Sequence, residues 1–389
     1  MPILFGVVLL DLVGFGIVIP ILPFLSPQLG ADKLDIAFII VTYAVGAGLC
    51  GPLWGRLSDR IGRKPVIMIC LAGAALSYLM LGLASQLWMV FAARGFAGLM
   101  AGNVGVASAM MADITPPATR ARGMGVIGAA FGLGLVLGPL LGGLLAGDQP
   151  GFTLPCLVAG SMSLCAMLAA GLFLPESLPA DRRRLQRSQQ DASSVYGLLR
   201  KSGNRLLVLQ FGIHSSCVSS VTYLFPLWSG DMLDWNARQV GIVFGIQGAI
   251  MALVQGGLMG WLVTALGELR LLRASVSAFA LGLFAAAFAG SPATMVGSFF
   301  LAMTGATLCM PLLNALISHR TPAASRGRVL GTTGSVSSWG RVAGPLVAGG
   351  NLALFGYRGA WLVATAICLC YVTWCYRECA RERQRAVLP

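Results

Sequence analysis

Apolar residues fill this chain in long runs, and the polar positions between them are short and clustered. A helix needs about 20 apolar residues to cross about 30 Å of hydrocarbon, and twelve runs reach that length. They cover 3–25, 36–57, 65–84, 88–110, 122–146 and 153–174, then 205–228, 238–262, 270–289, 293–316, 327–350 and 357–376. Lipid offers no partner to a free backbone group, and no ten-residue alternation suggests a barrel, so the runs must be helices. The pattern predicts an all-α membrane protein with twelve transmembrane helices. A polar stretch from Pro175 to Asn204 divides it. The expected parts are an N-terminal six-helix bundle at 1–174, a cytoplasmic linker at 175–204, a C-terminal six-helix bundle at 205–376 and a cytoplasmic tail at 377–389.

The most telling polar cluster is Gly55–Lys64, Gly-Arg-Leu-Ser-Asp-Arg-Ile-Gly-Arg-Lys, whose length fits the turn between two spanning helices. Arg56, Arg60, Arg63 and Lys64 place it on the cytoplasmic side, because basic loops resist translocation. An even number of spans puts both termini on that side as well. Cytoplasmic segments then hold Arg120, Arg122, six linker cations from Arg182 to Lys201, Arg320, Arg326 and Arg328 among others, against Lys33, Arg238 and Arg358 outside. Trp88, Trp228, Trp235, Trp261, Trp361 and Trp374 fall near span ends, where an amphipathic indole is favoured.

Composition agrees: 57% of residues are hydrophobic and 11% charged, too apolar for a soluble domain. The net charge of +13 sits in short turns, so it reads as orientation in a cell (inner) membrane and not as nucleic-acid binding. No Lys or Arg precedes Lys33, so the first run is expected to be a retained span and not a cleaved signal. The ten cysteines lie mostly inside apolar runs with no Cys-x-x-Cys and His set, and are read as packing residues, with neither metal nor disulfide. No cofactor is implied. A nucleophile, base or metal constellation is absent from the sequence pattern, so an enzyme is not expected.

The halves repeat. Thr115-Pro116-x-x-x-Arg120-x-Arg122-x-x-Gly125 returns 206 positions later as Thr321-Pro322-x-x-x-Arg326-x-Arg328-x-x-Gly331. Gly125-x8-Gly134-x3-Gly138-Pro139-x2-Gly142-Gly143 returns as Gly331-x8-Gly340-x3-Gly344-Pro345-x2-Ala348-Gly349. Glycines at these intervals strip one helix face of side chain and let a neighbour approach, and the proline permits a bend. Gly134, Gly138, Pro139, Gly142, Gly143, Gly344 and Pro345 are thus expected to form a seam on which bundles rock. Two six-helix bundles repeated in parallel around a mid-membrane site follow from such a repeat.

The Gly55–Lys64 cluster matches G-x-L-[SA]-D-R-x-G-R-[RK], the signature loop between the second and third helices of the major facilitator superfamily, so the chain resembles a transporter of that superfamily. The glycine pattern from Gly125 is similar to the antiporter motif of its drug/proton exporters. Gly14-x5-Pro20-Ile21-Leu22-Pro23 resembles another exporter motif, and Arg94-x3-Gly98 their arginine motif, with Ala97 where a polar residue is usual. In the second half the signature loop has decayed to Gly260–Gly267, without charges. The nearest likeness is to tetracycline/proton antiporters. Those carry acidic coupling residues in their second half, and here the last six predicted spans hold no Asp or Glu.

Ionisable residues inside the spans are few: Asp11, Arg94, His214 and Arg341. Each charged group would cost about 2.5 to 3.5 kcal/mol at the centre of a lipid-facing helix, so they should face protein or water. Asp11 and His214 occupy corresponding places in the first and seventh spans, with Pro23 and Pro226 twelve residues beyond each. The resemblance makes those spans cavity-lining, which would set the two residues facing one another. Asp11 is the expected proton carrier with His214 beside it, because a poorly hydrated carboxyl can exchange protons near neutrality. Arg94 and Arg341 reach a similar depth, and Asp11 lies about 9 Å deeper toward the cytoplasm, so a direct Asp11–Arg94 pair is not expected. Two guanidinium groups against one carboxylate point to a substrate bearing carboxylate or other anionic oxygen. Structural closure of the outer side through backbone carbonyls is the other reading of Arg94. Tyr43, Asn103, Gln247, Gln255 and Asn314 could contact substrate or bond between helices.

Asp59, Arg60, Gly62, Arg63 and Lys64, with Asp113 at the inner end of the fourth span, read as a gate latch at the membrane surface. The resemblance implies that Asp59 meets the start of the eleventh span, a helix N-terminus that favours carboxylate, and that Asp113 meets an arginine of the loop. The expectation is a monomeric secondary transporter that exports a small organic molecule against protons within the lipid bilayer. Proton-coupled import of a metabolite or siderophore is the alternative.

Overall fold

The structure is a computed structural model in which residues 1–116, 119–147, 153–178, 205–321 and 323–387 are described. Among these residues the regular elements are all helical. The first span is α1 (Pro2–Val18) followed by one turn, α2 (Leu22–Leu25), with the chain loosened beside Pro20, which has no N–H to give. Then comes α3 (Lys33–Ile61), started by a reciprocal cap: Asp35 N–H donates to Asp32 Oδ1 at 2.7 Å and Asp32 N–H to Asp35 Oδ2 at 3.0 Å.

Here the sequence expectation needs correction. Gly55–Lys64 is not a ten-residue turn: α3 continues to Ile61, and α4 (Arg63–Gly82) starts one residue after Gly62. Arg56, Ser58, Asp59 and Arg60 are polar without leaving the helix, Leu57 between them still packs on the apolar core, and only Gly62, at φ +111°, adopts the left-handed conformation that reverses the chain. The fourth span also differs, being two helices, α5 (Leu87–Leu99) and α6 (Asn103–Ile114). Trp54 Nε1 donates to the freed Leu99 carbonyl at 2.6 Å.

The chain continues through α7 (Arg120–Ala146), α8 (Thr153–Phe173), α9 (Arg205–Leu233) and α10 (Ala237–Leu253). A π-helical turn at Val254–Leu258 leads into α11 (Met259–Leu266), then α12 (Glu268–Ala286), α13 (Pro292–Arg320) and α14 (Ala323–Val387). Gly356, at φ +65°, divides α14 into two arms. Ten described segments are apolar and long enough to cross a bilayer, the last a 50-residue stretch containing both arms. Counting the arms separately and adding α9, a 29-residue helix rich in serine, gives the twelve passes. The segment expected as the tail is helical: α14 runs on to Val387, and Glu378 and Cys379 in it are buried. Trp228 and Trp361, expected at the interface, are buried as well. The linker cations Arg182 to Lys201 lie outside the described residues.

The chain divides into two compact units, Met1–Asp191 with Ser229–Gly248, and Ala192–Trp228 with Ala249–Pro389. In the first, α7 lies against α1 along the glycine face. A Cβ on Gly138 would sit 2.5 Å from the Gly16 Cα, Gly134 meets Leu12, and Gly142 meets the Ile17 carbonyl. Gly143 points instead at α10, 2.8 Å in the same sense from Gly241. The second unit repeats the arrangement, with Gly340 against Gly212 and Gly344 against Ser216 and Ser219 of α9. Ser220 Oγ donates to the Gly344 carbonyl at 3.0 Å, a bond that glycine's bare backbone exposes. All ten cysteines are free thiols; Cys165 and Cys370 are exposed, Cys50 is half-buried and the rest are buried.

Candidate functional site

In the first unit the crossing of α3 and α5 sets the geometry. A Cβ on Gly46 would sit 2.8 Å from the Gly98 carbonyl carbon, and Gly98 in turn meets the Tyr43 carbonyl, so the two helices touch backbone to backbone. One turn before Gly98, Arg94 is brought over Tyr43, with its guanidinium carbon 4.4 Å from the ring centroid. The Tyr43 ring is 5.2 Å from that of Phe15 on α1, so cation and two aromatic faces form one row. Arg94 is 5% exposed, and its Nε has no hydrogen-bond partner. Tyr78 of α4 and Cys156 of α8 are its other electrostatic neighbours. Among the described residues it forms no ion pair with Asp11 or any other carboxylate.

The gap between α5 and α6 places Asn103 at the start of α6, with its side chain within hydrogen-bonding reach of Asp11 on α1. Asn103 is buried, and its Oδ1 has no partner. Tyr78 lies within electrostatic reach of both Asp11 and Arg94. Sequence reasoning missed Tyr78 and Phe15. Their signal was only a helical position, which is shared by many packing aromatics.

In the second unit His214 sits deep in α9, 4% exposed, with its ring centroid 5.7 Å from Phe279 of α12 and 5.8 Å from Tyr371 of α14. It is enclosed edge-on by aromatic rings of its own unit, and its Nδ1 is without a partner. Gln210, one turn away and fully buried, has neither amide atom bonded. Arg341 is exposed and donates from Nη2 to Ser338 Oγ at 3.0 Å. Gln255 donates to the Thr307 carbonyl at 3.0 Å, Asn314 is exposed, and Gln247, in the first unit, is buried with both amide atoms unbonded.

The α3–α4 end of the first unit is a dense polar knot centred on Arg63. Its Nη1 donates to Asp59 Oδ1 at 2.7 Å and Ser58 Oγ at 2.6 Å, and its Nε to Asp113 Oδ2 at 3.0 Å. Glu176, which sequence reasoning overlooked as linker, caps α4: its carboxylate accepts the N–H of Arg63 at 2.9 Å and of Lys64 at 3.1 Å. Lys64 Nζ reaches the Gly171 carbonyl at 2.7 Å, and Arg60 is exposed. Helices α3, α4, α6 and α8 are thereby tied together at one end. At the opposite end Lys33 pairs with Asp231 of α9, also within the first unit. The sequence reading had no partner for either.

A family model described as Major Facilitator Superfamily matches residues 4–259 and 256–387. The chain belongs to that superfamily. It is 30% identical over 374 residues to the class C tetracycline resistance protein of Escherichia coli, covering 94% of each chain. The crystal structure of the human organic anion transporter MFSD10 (TETRAN) is similar with a TM-score of 0.75 and 25% identity, covering 96% of this chain and 98% of that one. A POT family transporter in complex with a thioalcohol conjugated peptide superposes with a TM-score of 0.79 at 13% identity over 96% of this chain and 94% of that one, a likeness of fold alone. This facilitator is therefore a multi-pass membrane transporter and not an enzyme.

Proposed function

We propose that this facilitator exports a small organic compound bearing anionic oxygen in exchange for protons, by alternating access, as a monomer in the cell (inner) membrane with both termini cytoplasmic. The observation that carries the reading is Arg94, a buried guanidinium that lies over Tyr43 and has no acidic partner among the described residues. A buried cation without counter-charge is costly, and an anionic ligand relieves that cost while Tyr43 and Phe15 offer flat apolar faces to its body. Similarity to a tetracycline resistance protein and to a human organic anion transporter supports export of an organic substrate.

Asp11 carries the proton in this scheme. Among the described residues it is the acidic side chain of the first unit's spanning interior, with Asn103 in hydrogen-bonding reach, and Tyr78 lies within electrostatic reach of it and of Arg94. A protonated Asp11 and an anion on Arg94 need only differ in their preference for the two access states to be coupled. His214, walled in by Phe279 and Tyr371, is left to packing. The knot of Asp59, Arg63, Lys64 and Asp113 around the turn at Gly62 sets the inner gate. Proteoliposomes with an imposed pH gradient test the reading: wild type should move anionic probes against the gradient, and Asp11→Asn should not. Transport of cationic probes alone, or proton-independent transport, would overturn it.

A further inference from the structure

The second half of the chain lost the charges of the signature loop in sequence, yet the structure shows that it kept the contact. Gly62 and Gly267 are the left-handed residues that open α4 and α12, at φ +111° and +75°, so Arg63 and Glu268 are equivalent first residues. Asp113 and His319 each stand two residues before a threonine that ends the preceding helix in the same extended conformation, φ −109° and ψ 126° at Thr115 against φ −112° and ψ 126° at Thr321. In the first unit these positions make the Arg63–Asp113 ion pair at 3.0 Å, and in the second His319 Nε2 lies 3.7 Å from Glu268 Oε2. The polarity is reversed, and the cation is now an imidazole.

We infer that Glu268 and His319 form a proton-dependent clasp that positions the α11–α12 hairpin at the cytoplasmic rim of the second half, where the first half has a permanent one. Imidazole is the side chain whose charge ordinarily changes between about pH 5 and 8, whereas a guanidinium stays charged. The neighbouring charges do not substitute for Glu268. Arg320, beside His319, donates to Glu378 of α14 at 2.8 Å, and Arg381 occupies the other oxygen of that carboxylate at 2.6 Å. Arg273 of α12 lies over the Tyr376 ring at 5.6 Å, and Arg270 is exposed. The first-half pair is nearly enclosed, with side chains 7% and 19% exposed, whereas His319 and Glu268 are 70% and 36% exposed, so protons reach the clasp freely. Exposed pairs are weak, so the clasp shifts the hairpin equilibrium by up to about fivefold. It closes when the imidazole is charged and opens as pH rises.

The test needs no substrate and is independent of the proposed transport direction. A spin label at exposed Thr264, in the hairpin, is followed in purified protein from about pH 5.5 to 8. Wild type should be damped at low pH and mobile at high pH, Glu268→Gln mobile throughout, and His319→Lys damped throughout. A wild-type label insensitive to pH, or a Glu268→Gln label that keeps the wild-type response, would overturn the assignment.

Discussion

The two halves share their backbone devices but differ in the chemistry mounted on them. Both pack a glycine face against the opening helix of the half, through Gly138 on Gly16 and Gly344 on Ser216, and both reverse the chain through one left-handed glycine. Inside, the first half holds a carboxyl and a guanidinium at Asp11 and Arg94, whereas the second offers His214 among aromatic rings and Gln210 with its amide unbonded. Duplication preserved what the helices need to touch, and charge was free to diverge. The proposed binding and exchange rest on the first half alone, and that contrast is open to test.

The strongest way to break that contrast is to neutralise each interior in turn. Asp11→Asn should abolish pH-driven flux in proteoliposomes, and His214→Gln should leave it close to wild type; equal damage would erase the distinction. Next in size is the buried acid at the second half's rim. Glu378→Gln removes the buried carboxylate that Arg320 and Arg381 share and should lower stability by about 3 to 5 kcal/mol, read as thermal melting in detergent. The arginines sharpen the comparison by affinity: Arg94→Lys should weaken binding of an anionic probe by about ten- to a hundredfold, the worth of a lost charge-assisted bond. Arg341→Lys should change it little. Of similar size are the shared seams, where Gly138→Ala and Gly344→Ala should each cost about 1 to 3 kcal/mol by overpacking. Gly128→Ala, with open space around it, should be neutral.

Much of the fold was legible because apolar run length reports depth in the bilayer, and the Thr-Pro repeat reports duplication. Helix ends were less so. Four of residues 56–60 are polar and all five are still helical, since leaving lipid does not require leaving the helix. The break before Asn103 needed Trp54 to take the Leu99 carbonyl, a partner 45 positions away that no local window contains. In the candidate site, hydropathy placed Asp11 and His214 at matching heights but gave no azimuth. It was Phe279 and Tyr371, from distant segments, that decided what surrounds His214. Glu176 was hidden for a related reason, because its role as a cap on α4 exists only once the chain has folded back across more than a hundred residues.

The placement of the sulfur atoms has a practical corollary. Seven of the ten thiols are shielded by neighbouring side chains, leaving Cys50, Cys165 and Cys370 as the ones a probe can reach. Replacing those three by serine or alanine would give a silent background on which single reporter cysteines could be installed. Distances between reporters could then be followed through the transport cycle in a nearly native chain.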